Sequence, residues 1–299
     1  MTRSLVILLV FVSNLAYSQV FIDRARSEAE KKIYNLEDNP DIRNYTEIIA
    51  RDSLNAENYF NRARGYYSIW LMSDKKDTIA FQLFRKDVYR ANTIDSANCT
   101  YNQWIANKFK LPDSLAIRYY NKAINKCGNT EEYFFQRAFC LMRLRRFEAA
   151  IKDLNEAKHL RQTKGDPVMR KLMIEEYTTC RGLCYAKLGE YKAAERDLRK
   201  VIESNNAKWD SYIYLGIVES MQGKYEEALN IFNDLKSKAP FVMVNYLYIG
   251  NSYHAMGNDA LANENWSFAA KNGITFDEKR KCIGTQLDFF IDNFRLGSD

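Results

Sequence analysis

Residues Thr179–Ile202 read T-C-R-G-L-C-Y-A-K-L-G-E-Y-K-A-A-E-R-D-L-R-K-V-I, and Tyr212–Leu235 read Y-I-Y-L-G-I-V-E-S-M-Q-G-K-Y-E-E-A-L-N-I-F-N-D-L. Gly182 and Gly216 stand 34 residues apart, and the same interval separates Gly189 from Gly223, Tyr191 from Tyr225 and Ala194 from Ala228. A fixed period that keeps small, aromatic and small residues in phase marks a chain built from stacked copies of one supersecondary unit. Within a copy, apolar residues recur at three- and four-residue steps, as in Ala228, Leu229, Ile231, Phe232 and Leu235, which predicts helices. Gly189 and Gly223 fall between the two helices of a copy, where glycine takes a left-handed conformation cheaply. Faces this broad cannot be covered within one hairpin, so each copy must stack on its neighbours.

The phase extends in both directions. Gly250 and Gly284 continue it downstream; Gly257-Asn258-Asp259 repeats the turn, with Asp259 where the other copies carry an aromatic residue. Upstream, Ala138 takes the crossing position, followed by Phe147 and Ala150. The 44-residue interval from Ala138 to Gly182 implies ten inserted residues, assigned to His159–Pro167, whose Gly-Asp-Pro end stops helices. Ala106, Ala63 and Ala29 mark weaker copies, and Ser73–Thr78 is a polar loop inside one of them.

This period and these positions resemble tetratricopeptide-repeat proteins. The resemblance implies an all-α fold: a right-handed α-solenoid of about seven tetratricopeptide-like helical hairpins. They fall near 22–55, 56–97, 98–130, 131–174, 175–208, 209–242 and 243–276. A capping helix over 277–296 would follow, with Phe289, Phe290 and Phe294 covering the last apolar face, so that residues 19–296 form one continuous array. Composition agrees: 46% hydrophobic residues supply a core, and 12 Gly and 4 Pro in 299 residues favour long helices. All four prolines are expected between helices.

Residues 1–18 read differently. Arg3 is a positive start, Leu5–Val12 an apolar core, and Ala16-Tyr17-Ser18 a small-residue cleavage site, the pattern of a secretory signal peptide cut before Gln19. The apolar run is shorter than the ~20 residues that span a bilayer. The cleavage region resembles exported proteins of Bacteroidetes-type bacteria, which places the mature chain in the periplasm or outside the cell. The net charge of +6 gives no argument for nucleic acid.

Candidate chemistry is sparse. Cys99 and Cys127 would open and close one hairpin, so a disulfide can join them. Cys180 and Cys184, one turn apart, could be a redox or metal pair, but buried small hydrophobes are the stronger reading, as for Cys140 and Cys282. The Glu156 to His159 step lacks the further carboxylates of a di-metal bundle. No phosphate loop, nucleophile elbow or zinc-helix motif occurs. Neither a cofactor, a metal nor an enzyme activity is expected.

Recognition is expected on the concave face, which the resemblance assigns to the first helix of each hairpin. The positions are Phe60, Arg64 and Tyr67; Gln103, Asn107 and Lys110; Phe135, Phe139, Met142 and Arg143; Thr179, Leu183 and Lys187; Ile213, Ile217, Ser220 and Met221; Leu247, Asn251 and His254. Some family members clamp a peptide's terminal carboxylate with Lys and Asn, but Gln103 and Leu247 stand where Lys is needed. Two readings of the apolar middle, Phe135, Phe139, Leu183, Ile213 and Ile217, stay open: an exposed stripe for a partner segment, or core buried by tight curvature. The function implied is a protein–protein interaction scaffold. A self-associating envelope module, or an array recognising cell-wall fragments, is the alternative.

Overall fold

In the computed structural model, side-chain caps decide where many helices begin. Asn39, Asn55, Asp77, Asn98, Asp166 and Asn258 each accept a hydrogen bond from a backbone N–H of the first helical turn that follows. The structure describes residues 36, 39–75, 77–128, 130–204 and 209–274. The signal segment, the first helix of the first repeat and the 277–296 cap lie outside these residues.

Thirteen helices and no strand occur among the described residues. The chain divides into two compact units, residues 1–110 and 111–299. The first holds α1 (Pro40–Arg51), α2 (Ala56–Met72), α3 (Thr78–Ile94) and α4 (Cys99–Lys108). Here α2 and α3 form a hairpin, α1 packs on α2, and α4 packs on α3. The second unit holds α5 (Asp113–Cys127), α6 (Glu131–Arg143), α7 (Phe147–Arg161), α8 (Pro167–Lys187), α9 (Tyr191–Ile202), α10 (Trp209–Met221), α11 (Tyr225–Lys238), α12 (Val244–Ala255) and α13 (Asp259–Lys271). Hairpins α6–α7, α8–α9, α10–α11 and α12–α13 stack in chain order.

The phase positions are where the helices come closest. A Cβ on Gly216 would lie 2.3 Å from the Phe232 ring, and one on Gly250 2.5 Å from the Trp266 ring. The turn glycines Gly189, Gly223 and Gly257 have φ of +77°, +78° and +79°. Arg145 takes the equivalent place between α6 and α7 with φ +58°, a conformation that disfavours side chains.

Three expectations need correction. The inserted stretch forms a loop only at 162–166: α7 runs on to Arg161 and α8 is 21 residues long, against 13 for α6 and for α10. About two extra turns at the start of α8 absorb the insertion. Pro40 and Pro167 lie in the first turn of α1 and α8, where the missing N–H has no helical partner to lose. Finally, Thr78, expected in the polar loop of the 56–97 repeat, opens α3 with Asp77 as its cap, and α2 and α3 are 17 residues each.

Candidate interaction faces

The sequence-predicted contact positions separate by burial. In the second unit, α10 is buried without a break from Ser211 to Ser220, because α8 and α12 pack along its sides. Phe135, Phe139, Leu183, Ile213 and Ile217 are each at most 3% exposed and belong to one core cluster. Phe135 sits 4.5 Å from the Phe139 ring and 4.6 Å from that of Tyr177. The open apolar stripe is therefore absent, and the tight packing of neighbouring first helices is the reason. Met142 and Leu247 are buried with them, Thr179 and Ser220 turn their hydroxyls back to Glu175 O and Gly216 O, and Met221 is half-buried.

The polar candidates behave differently. Arg143 is half-buried and forks onto the Asp113 carboxylate while also donating to Cys140 Sγ at 3.5 Å. Asn251 is buried and accepts from Trp266 Nε1 at 3.0 Å. Lys187 is half-buried. His254 is exposed, with Nδ1 2.6 Å from Asp259 Oδ1 and its ring 5.5 Å from Trp266.

In the first unit Phe60 is buried against Tyr101 and Trp104, at ring distances of 4.8 and 5.0 Å. Tyr67 and Gln103 are half-buried, and Arg64, Asn107 and Lys110 are exposed. Tyr67 touches Trp104 across α2 and α4, which brings the candidates of those two helices onto one face.

Sequence reading missed a recurring charge pair. Arg137 and Arg181 each directly precede the small crossing residue, and each forks onto an aspartate 16 residues later, Asp153 and Asp197, with both hydrogen bonds at 2.7 Å. Each also reaches back to an asparagine of the preceding second helix, Asn121 and Asn155. Arg62 pairs likewise with Asp87, at 2.7 and 2.9 Å. The hydrogen bonds to aspartate raise the pKa of Arg62 and Arg181. The signal was legible as an Arg before Ala or Gly, answered by Asp-Leu or Asp-Val on the second helix.

Thiol chemistry is disfavoured. Cys140, Cys180 and Cys184 are buried, and burial pushes the Cys140 and Cys184 thiols up to about 12. Among the described residues, no group of three metal-ligating side chains occurs, and no helix is long and apolar enough to cross a membrane.

No family model matches the sequence, and no curated protein matches it. Among solved structures, PilW, a widely conserved type IV pilus biogenesis factor, is similar with a TM-score of 0.57 at 15% identity, over 75% of this chain and 95% of that one. MamA (TM-score 0.47, 23% identity, 60% of this chain and 97% of that one) is also similar. So is YrrB, described as a TPR protein with an unusual peptide-binding site (TM-score 0.46, 15% identity, 67% and 97%). The likeness to PilW shows the fold alone. The fold is an all-α array of tetratricopeptide-like helical hairpins.

Proposed function

We propose that this chain is a non-enzymatic protein–protein interaction scaffold, exported to the periplasm or the cell exterior, which holds a protein or peptide segment on the first-helix faces of its hairpins. The observation that carries the reading is the division of those faces into a tightly packed apolar floor and accessible polar groups, Arg64, Asn107 and His254. Groups fixed on packed helices are held more precisely than groups on loops, which suits recognition. Export is supported by Arg3, the apolar run Leu5–Val12 and the Ala16-Tyr17-Ser18 site. Burial takes the Cys140 and Cys184 thiols out of reach as nucleophiles. We also propose a Cys99–Cys127 disulfide, which non-reducing peptide mapping would detect.

Capture from native envelope by the mature chain, compared with an Arg64→Glu/His254→Glu variant, tests the scaffold reading. A partner retained by the wild type and lost by the variant supports it. Identical recovery with both, or no saturable partner, counts against it. A self-associating module is the second reading, favoured by Trp209 and Phe241, which are 41% and 65% exposed and meet edge to face at 5.7 Å. Concentration-dependent light scattering, abolished by Phe241→Ser, would select it.

A further inference from the structure

Helices α11 and α13 both pack on α12 and leave a cleft of about 430 Å³ between them. That size lies in the range of small-molecule sites. Tyr246, buried at the start of α12, lines the bottom of the cleft, its ring 4.4 Å from that of Phe268 on α13. Phe268 itself is 42% exposed. A partly open aromatic floor offers an apolar face to whatever enters.

The polar groups around this floor are few. Lys236 of α11 and Lys271 of α13 bring two ammonium groups, and neither makes an ion pair among the described residues. Lys236 Nζ lies 5.0 Å from the Tyr246 ring centre, a contact that holds the ammonium at the cleft and leaves its N–H donors for a ligand. The carboxylates of the three helices are otherwise engaged or distant. Asp234 pairs with Lys238 at 2.7 Å, and Asp259 meets His254 at 2.6 Å. Glu226 and Glu227 stand in the first turn of α11, whereas Lys236 is in its last, and the α12 sequence has no Asp or Glu. Glu264 remains, and it lines the cleft itself without an ion pair among the described residues. Asn265 commits its Nδ2 to Leu261 O at 2.9 Å and so presents its oxygen, and Ser267 adds a hydroxyl.

We propose that this cleft binds a sugar acid, a hydroxylated ring that carries a carboxylate. Lys236 and Lys271 hold the carboxylate through charge-assisted hydrogen bonds, and Glu264 and Asn265 Oδ1 accept from ring hydroxyls. The C–H face of the ring lies on Phe268. A zwitterionic amino acid fits less well, because its ammonium group, drawn to Glu264, would stand beside two lysines. A bare anion would leave Glu264 and the aromatic floor unused. The site goes beyond the scaffold reading and does not rest on it, since its polar groups lie on second helices.

A saturation-transfer NMR titration of the whole mature chain with digalacturonic acid tests this, with neutral galactobiose and phenylalanine as comparisons. Digalacturonic acid should bind about tenfold more tightly than either, and its binding should weaken with added salt. Lys236→Gln/Lys271→Gln and Phe268→Ala should each lose about tenfold in affinity, with folding checked by circular dichroism. Lys271→Gln alone, at an exposed side chain, replaces the double variant if that does not fold. Equal affinity for galactobiose, tighter binding of phenylalanine, unchanged affinity in either variant, or no saturable signal overturns the proposal. None of these results bears on envelope capture, so the scaffold reading stands or falls separately.

Discussion

Asp153 and Asp197 are 6% and 9% exposed, and each is matched by both arms of an arginine fork. Removing one partner leaves a charge in a poorly hydrated site, which costs about 3 kcal/mol or more. Asp197→Ala should therefore lower stability by about that amount in urea titration, and the charge-conserving Asp197→Glu by less. Phe139 makes the opposite point. As an exposed contact its truncation would spare stability, but at 3% exposure Phe139→Ala should cost about 3–5 kcal/mol. The residue scale is where sequence reading was weakest. Helical periodicity identifies which residues are apolar, yet both a groove and a packed seam place them at the same positions. Only the approach of the neighbouring first helices decides, and that is a property of three helices together. The arginine–aspartate pairs were written in the repeat phase but carried no motif known to do chemistry.

At the scale of elements, the 34-residue phase marks close helix crossings. Gly216 accommodates the Phe232 ring, whereas Gly182 faces Leu198, whose Cγ would be 3.1 Å from an added Cβ. Gly216→Ala should destabilise by about 1–3 kcal/mol through forced movement of the ring. Gly182→Ala should stay within about 1 kcal/mol of wild type, since Leu198 can shift and alanine is the better helix former. Thermal unfolding of the two variants side by side measures the difference. The insertion before Gly182 was legible in length and illegible in form. Gly165-Asp166-Pro167 reads as a stop, but Asp166 caps α8 and Pro167 opens it, so the same residues start a longer helix.

For the molecule as a whole, burial of thiols ties stability to pH. The Cys140 and Cys184 thiols ionise near 12 when folded, against an ordinary value of 9.0. Their contribution is complete below pH 9.0 and declines as pH rises from there towards 12, because only the unfolded chain gives up those protons in that interval. Serine at both positions should flatten that decline in a series of denaturant titrations. Binding by the first-helix faces is the proposal on which the function rests. Photo-crosslinking residues installed one at a time, in cells, test it most directly. Positions 64, 107 and 254 sample those faces, and exposed second-helix positions 122, 152 and 192 serve as controls. One partner should be crosslinked from the first set and not from the second. Crosslinks confined to positions 122, 152 and 192 would contradict it.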